Sequence, residues 1–164
     1  MPRYRLTIEY DGRPYRGFQA QALLPSVQGE IEKAVLGFTG ETIRIHAAGR
    51  TDTGVHAFNQ VVHLDSPVER DAFSWLRGTN RHLPADIALQ WCQGVPDDFH
   101  ARYQAHGRRY RYLLLDSPMR PALESGQVGW YFRPLQIEPM REAATVLVGD
   151  FGGGGAGDGV QPRG

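Results

Sequence analysis

Cysteine and long apolar runs are nearly absent from this chain of 164 residues. Cys92 is the only cysteine, which excludes a disulfide within the chain and a zinc site built from several thiolates, and indicates a reducing compartment such as the cytoplasm. No run of eighteen apolar residues occurs, so the sequence predicts no membrane span. The first residues alternate charged and bulky side chains and lack the apolar stretch of a signal peptide.

Net charge is also absent, because 18 basic residues balance 18 acidic ones. Composition therefore does not indicate a general binder of polyanions. Lys33 is the only lysine, so the other seventeen basic residues are arginine, whose planar guanidinium suits phosphate and carboxylate groups. Coding bias toward G and C is the simpler explanation of this imbalance.

The first forty residues predict a strand followed by a helix. In "YRLTIEY", residues 4–10, polar side chains alternate with a set expected to form a buried face: Tyr4, Leu6, Ile8 and Tyr10. Ser26 has the chemistry of a helix N-cap, and Gly37 and Gly40 are expected to close the helix. Between them, apolar residues recur at helical spacing: Val27, Ile31, Ala34, Val35 and Phe38.

The order of the next elements predicts the fold class. Further strands are expected at 42–47, 58–64 and 86–92, and a helix at 69–80 is expected to turn three residues inward: Ala72, Phe73 and Leu76. The order strand, helix, strand, strand, helix, strand matches the split βαβ pattern of the ferredoxin-like α+β fold. That pattern predicts an antiparallel sheet with its helices on one face, in a first domain of residues 1–105.

A second α/β domain is predicted to begin at residue 106 and to be incomplete at residue 150. From Arg108 to Leu115, side chains alternate so that a strand would place on one face Arg108, Tyr110, Tyr112 and Leu114. Residues 138–150 are helix-like. Residues 151–164 hold seven of the chain's twenty glycines and are predicted to be a disordered tail.

The stretch "AAGRTDTGVHA", residues 47–57, sets one carboxylate, Asp52, between two glycines where neither helix nor regular strand is favoured. Residues of these types most often form a turn. The tripeptide from Asp52 to Gly54 also occurs in aspartic proteases, but their chemistry needs two carboxylates sharing a proton, and Arg50 would keep Asp52 ionised. A catalytic loop is the third interpretation, since Arg50 and Asp52 would lie together and the arginine- and tyrosine-rich segment after residue 105 could face them.

Several segments then occur in a fixed order: "YDGRPYRGFQAQ", "SVQGEIEKAV", "AGRTDTGVHA", "VVHLD", "RHLPADIALQW", "VPDDFHARYQAHGRRYRY" and "RPAL". Over about residues 3–151 the chain resembles the tRNA pseudouridine synthase A family. The combination of G-R-T-D-x-G-V-H-A with F-H-A-R and R-R-Y-R-Y is specific, unlike its separate parts. The resemblance implies isomerisation of uridine to pseudouridine in the anticodon stem-loop of tRNA, without metal or organic cofactor, by a cytoplasmic enzyme that is a homodimer when full length.

The resemblance also implies roles for individual residues. Asp52 matches the family's catalytic aspartate, and whether it acts as nucleophile or as base stays open. Tyr110 matches the tyrosine that contacts the target uridine, and Arg50 matches an arginine that helps to flip the base out. Four further arginines are predicted to contact RNA phosphates, although their stems could equally cover apolar surface: Arg102, Arg108, Arg109 and Arg111.

The end of the sequence limits what the resemblance implies. Family members continue past residue 151 into a second domain that forms the other wall of the active cleft, whereas this sequence becomes glycine-rich, which predicts a C-terminally truncated member. An inactive fragment that retains only RNA binding is therefore the alternative interpretation.

Five histidines lack metal-ligand spacing with acidic partners and predict structural roles rather than a metal site: His56, His63, His82, His100 and His106.

Overall fold

A computed structural model of the chain describes residues 1–149. The chain divides into two compact units, Met1–Tyr112 and one that begins at Leu113. The first unit contains, in order, β1 (Arg3–Tyr10), α1 (Val27–Thr39), β2 (Ile45–Ala47), β3 (Ala57–Asp65), α2 (Ala72–Asn80) and β4 (Ile87–Val95). The predicted order of strands and helices is therefore confirmed for this unit.

The four strands form one antiparallel sheet in the spatial order β2-β3-β1-β4. In β1 the predicted inward residues are all buried, and they belong to a single core cluster that also contains Val27, Ile31 and Val35 of α1 and Trp75 of α2. Because successive strand residues point to opposite faces, both helices cover the same face of the sheet. The structure is thus a mixed α/β unit with an antiparallel sheet.

The sequence signals of α1 have the expected structural counterparts. The Ser26 hydroxyl accepts a hydrogen bond from the backbone N–H of Gly29 at 3.2 Å, which satisfies one of the free donors at the helix start. Gly40, with φ of 76°, ends the helix in a left-handed conformation, and its N–H donates to the carbonyl of Leu36 at 2.8 Å. Gly37 lies inside the helix and does not end it.

The predicted inward face of α2 is wrong for Ala72 and Phe73, whereas Leu76 packs against the core as predicted. The helix begins at Ala72 because the Asp71 carboxylate accepts from the backbone N–H of Ser74 at 2.9 Å, and its buried residues are Trp75 and Thr79. Phe73 is 65% exposed, Ala72 is exposed as well, and Leu76 is only half-buried. The physical reason is the indole of Trp75, the larger apolar surface, which packs with its ring centroid 5.0 Å from Tyr4.

The strand predicted from Arg108 to Leu115 is also wrong over most of its length. Residues 105–113 adopt neither helix nor strand, and only β5 (Leu114–Asp116) pairs, in parallel, with β6 (Gly129–Tyr131). A strand needs a neighbouring backbone for its N–H and C=O groups, and alternation of side chains does not supply one. The alternating pattern therefore located an extended segment but not a ladder.

The second unit ends, as far as the structure describes it, in α3 (Ile137–Ala144) and a 3-10 turn at Thr145–Leu147. This replaces the longer helix predicted for residues 138–150, since Thr145 and Val146 are β-branched and disfavour the α-helix. The predicted disordered tail, residues 151–164, lies outside the described residues. Within residues 1–149, the helices are too short or too polar to cross a membrane.

Candidate active-site loop

Residues 48–56 connect β2 to β3 and form the loop that the sequence predicted between its two glycines. At its start, the N–H of Ala48 donates to the carbonyl of Val61 at 2.8 Å, and the side-chain amide of Gln60 donates to the carbonyl of Gly49 at 2.7 Å. Further on, the N–H of Val55 donates to the carbonyl of Asp52 at 3.2 Å. Gly54 allows this tight turn because its φ is 79°, a conformation that residues with a side chain rarely adopt.

Thr51 anchors the centre of the loop through hydrogen bonds to residues that precede it in the sequence. Its hydroxyl lies 2.7 Å from the hydroxyl of Tyr10, and its carbonyl accepts from the backbone N–H of Phe18 at 2.9 Å. Gly17, with φ of 96°, passes so close that a Cβ there would lie 2.9 Å from the same carbonyl oxygen. The residue immediately before Asp52 is therefore fixed through both its side chain and its backbone.

The end of the loop packs against the turn that follows β1. A Cβ on Gly12 would lie 2.0 Å from the carbonyl oxygen of Val55, so the two backbones are in direct contact. The Nδ1 atom of His56 lies 3.3 Å from the Gly12 N–H and 3.2 Å from a carboxylate oxygen of Asp11. Neutral Nδ1 can accept from Gly12 and protonated Nδ1 can donate to Asp11, so either form of the imidazole has a partner.

Charged groups at this end of the loop reinforce one another. The single Nε–H of Arg13 is shared between the two carboxylate oxygens of Asp11, at N···O distances of 3.0 and 2.9 Å. The side-chain hydrogen bond from Arg13 holds the pKa of the Asp11 carboxyl below its usual range, so Asp11 is ionised at neutral pH. A fixed negative charge thus faces His56.

Arg50 and Asp52, the two residues that the sequence singled out in this loop, are both exposed. Their backbone lies between the anchors at Gly49 and Thr51 and the turn at Gly54, so the loop presents a carboxylate and a guanidinium to solvent from a fixed base. Such an arrangement leaves the carboxylate accessible to a substrate while restricting its position.

The segment after residue 105 brings one of the predicted site residues, Arg108, to this loop. The guanidinium of Arg108 donates to the carbonyl of Ala48 and passes over Gly49, where a Cβ would lie 3.0 Å from Nε. Burial raises the pKa of the Tyr10 hydroxyl, and its hydrogen bonds with Thr51 and Gln60 oppose this increase. Tyr110 is itself 73% exposed. The other predicted RNA contacts, Arg102, Arg109 and Arg111, are exposed.

Three histidines pack together on the sheet face opposite the helices. The ring of His63 lies 5.0 Å from His46 and 4.6 Å from His100, and its Nδ1 accepts from the backbone N–H of Ala101 at 3.2 Å. Burial, followed by the neighbouring imidazoles, lowers the pKa of His63 to about 4, so the ring is neutral at physiological pH. The cluster holds residues 99–101 on the sheet. Within the described part of the chain, no three histidine, cysteine or acidic side chains form a group that could hold a metal ion.

Sequence reasoning missed the residues that position the loop. Tyr10 was expected only to be buried, Thr51 was treated as a turn residue, and His46 was not singled out. The one usable signal was the location of Tyr10 at the end of a predicted inward face, just before a turn. Its partner is 41 positions away in the sequence, and periodicity carries no information about contacts at that distance.

The chain matches the family model described as tRNA pseudouridine synthase over residues 6–104. It is similar to tRNA pseudouridine synthase A of Methylibium petroleiphilum, with 57% identity over 148 residues, which cover 90% of this chain and 57% of the relative. The protein of the same name from Variovorax paradoxus is 54% identical over 147 residues, covering 90% and 54%. The chain thus spans a little more than half the length of these curated relatives.

Proposed function

Because the chain belongs to the tRNA pseudouridine synthase family, we propose that it carries the catalytic loop of an enzyme that isomerises uridine to pseudouridine in the anticodon stem-loop of tRNA, with Asp52 as the catalytic carboxylate. The observation that carries this proposal is the way in which Thr51 is held by side chain and backbone while the next residue, Asp52, stays exposed. Catalysis requires a reacting group that is both fixed and accessible.

The reaction breaks the C1′–N1 glycosidic bond, turns the uracil over and joins C1′ to C5, after which the proton on C5 is released. An ionised Asp52 can attack as a nucleophile or remove a proton from the ribose as a base, and both routes need the carboxylate beside the ribose of the target uridine. A uridine inside a stem must first leave the base stack, at a cost of a few kcal/mol. This chemistry requires no metal and no organic cofactor.

Arg50 and Tyr110 have complementary roles in the proposal. Arg50 shares the loop with Asp52, so its guanidinium can pair with the carboxylate and occupy the space of the flipped base. Tyr110 is exposed, so its ring can stack on the uracil. Arg50 would thus fill the gap in the stem, while Tyr110 would hold the extruded base.

The arginines of the neighbouring segment extend the proposed RNA contact. Arg108 is held at the entrance of the loop by its bond to Ala48, and it still has donors left for a phosphate. Arg102, Arg109 and Arg111 are exposed cations that suit the RNA backbone. Contacts of this kind recognise the shape of a stem-loop rather than its sequence.

The proposal also covers the fold, the oligomeric state and the cellular location of the whole protein. The β-α-β-β-α-β order and the antiparallel strand order β2-β3-β1-β4 support a ferredoxin-like first domain. We propose that a second α/β domain begins near residue 106, and that the full-length protein acts as a homodimer in the cytoplasm.

Site mapping tests the proposed activity directly. We expect the protein, expressed from its complete gene, to release tritium from tRNA that is labelled at uracil C5. A matched tRNA whose anticodon stem-loop uridines are replaced by cytidines should release none. Equal release from both tRNAs would contradict the anticodon site. Salt-dependent binding without any release would favour the alternative of an RNA-binding remnant.

A further inference from the structure

Two tyrosines of β1 lie on the same buried face but use their hydroxyls differently. The hydroxyl of Tyr4 donates to the carbonyl of Arg70 at 3.0 Å and accepts from its N–H at 3.1 Å, away from the loop. The hydroxyl of Tyr10 lies 2.7 Å from the hydroxyl of Thr51, inside the loop. Removing the hydroxyl of Tyr10 therefore affects the loop, whereas removing that of Tyr4 affects the same core without touching the loop.

The surroundings of Tyr10 give its hydroxyl a fixed position. Its backbone pairs with Ala57 on β3 and with Ile87 on β4, and its ring centroid lies 6.0 Å from that of Phe18. The residue is 3% exposed, so the ring cannot change rotamer without disturbing a close-packed core.

Thr51 transmits that fixed position to the catalytic carboxylate. Its carbonyl is held by the Phe18 N–H, and a shift of Thr51 would break this bond and move Asp52, the next residue. We propose that Tyr10 is a positioning residue, which fixes the Asp52 carboxylate for isomerisation through the hydrogen bond between the Tyr10 and Thr51 hydroxyls. This inference rests on the function proposed for Asp52.

Tyr10→Phe tests the proposal because it removes the hydroxyl and keeps the buried ring. We expect kcat on tRNA to fall about tenfold or more, since small displacements of a reacting group are costly, while KM stays within about twofold. Tyr4→Phe is the matched control on the same strand and should keep kcat. Equal kcat values for the two variants, or a change confined to KM, would overturn the proposal.

The partner residue provides a second, independent variant. Thr51→Val keeps the shape of the side chain and removes its hydroxyl, so it should lower kcat to a similar extent. When combined with Tyr10→Phe, it should add little, because both substitutions remove the same hydrogen bond. Losses that multiply in the double variant would show that the two hydroxyls act separately, against the proposal.

Hydrogen exchange separates failure of this inference from failure of the proposed function. The N–H groups of Phe18 and Val55, which donate to the carbonyls of Thr51 and Asp52, report the order of the loop whether or not uridine is isomerised. We expect both to exchange faster in Tyr10→Phe and not in Tyr4→Phe. Unchanged exchange in Tyr10→Phe would overturn the positioning role, whereas a wild-type protein without isomerase activity would contradict only the function.

Discussion

Alternating side chains occur both in the sheet of the first unit and in the segment from Arg108 to Leu115, yet only the sheet buries one set of them. Among the residues that the structure describes, every buried hydrophobic side chain lies at or before Ala101. Tyr110 and Tyr112 are 73% and 80% exposed, and no residue of α3 is buried. Alternating apolar and polar side chains therefore form a sheet with a buried face only where a neighbouring strand and a covering helix are present. Without these partners the apolar side chains remain exposed.

Two tryptophans test this comparison with the largest expected effect. Trp75 is fully buried between Tyr4 and Phe38, whereas Trp130 is 43% exposed. We expect Trp75→Ala to lower the free energy of unfolding by about 3–5 kcal/mol because it leaves a cavity, and Trp130→Ala by about 1 kcal/mol or less. Urea unfolding followed by far-ultraviolet circular dichroism measures both. Similar losses would show that the two regions are packed alike.

The second prediction concerns pH and the histidine face of the sheet. The pKa of His63 is lowered to about 4 in the folded chain against 6.5 when unfolded, so the unfolded state binds more protons between these values. Its contribution to stability is complete above pH 6.5 and is lost as the pH falls toward 4, by roughly 3 kcal/mol at most. The lowered pKa of the neighbouring His100 adds to this loss with the same sign.

Unfolding midpoints measured from pH 7 to pH 4 show the size of this loss. In His63→Gln, which keeps an oxygen to accept from Ala101, the dependence on pH should be much weaker. His106→Gln, at an exposed position after the sheet, should retain the wild-type dependence. A His63→Gln variant as sensitive to acid as the wild type would assign the effect to other groups.

Two glycines provide the third comparison. A Cβ on Gly12 would lie 2.0 Å from the carbonyl oxygen of Val55, whereas a Cβ on Gly107 would meet no atom within 4 Å. We expect Gly12→Ala to cost about 1–3 kcal/mol, since two backbones must separate, and Gly107→Ala to change stability by less than about 0.5 kcal/mol. Thermal unfolding of the two variants checks this. Equal midpoints would contradict the close contact at the loop.

The fourth prediction separates the two exposed tyrosines of the segment after residue 105. Tyr110 matches the family's tyrosine at the target uridine, whereas Tyr112, two positions further on, has no such match, and both side chains are exposed. Tyr110→Phe should therefore lower turnover, by about tenfold if its hydroxyl assists a proton transfer, and Tyr112→Phe should lower it less. Tritium release at saturating tRNA measures both. A larger loss in Tyr112→Phe would place the other tyrosine at the uridine.

Local signals explain which parts of the fold were predictable. The faces of β1 and α1 followed from periodicity, and Ser26 and Gly40 followed from capping chemistry, because each depends on residues that are close in sequence. The face of α2 was mistaken because Phe73 and Trp75 both suit a core, and only packing against Tyr4 selects one of them.

Features that depend on contacts between residues far apart in the sequence were not predictable. The sequence located the loop around Asp52 through its glycines, but the bond between Tyr10 and Thr51 depends on the closure of the sheet. Likewise, the extended segment after residue 105 was recognisable, whereas the strand predicted from residue 108 was wrong up to residue 113, where the backbone forms neither helix nor strand. The chemistry of a site is thus easier to infer from sequence than the supports that position it.

Asp52→Asn, assayed for both turnover and binding, tests the central claim most directly. Asp98→Asn is the matched control, an exposed aspartate outside the loop. We predict that Asp52→Asn abolishes tritium release from C5-labelled tRNA while keeping tRNA affinity within a few-fold, because the amide can neither attack C1′ nor accept a ribose proton. Asp98→Asn should retain both properties. Turnover by Asp52→Asn at a rate comparable to that of Asp98→Asn would contradict the claim that Asp52 is the catalytic carboxylate.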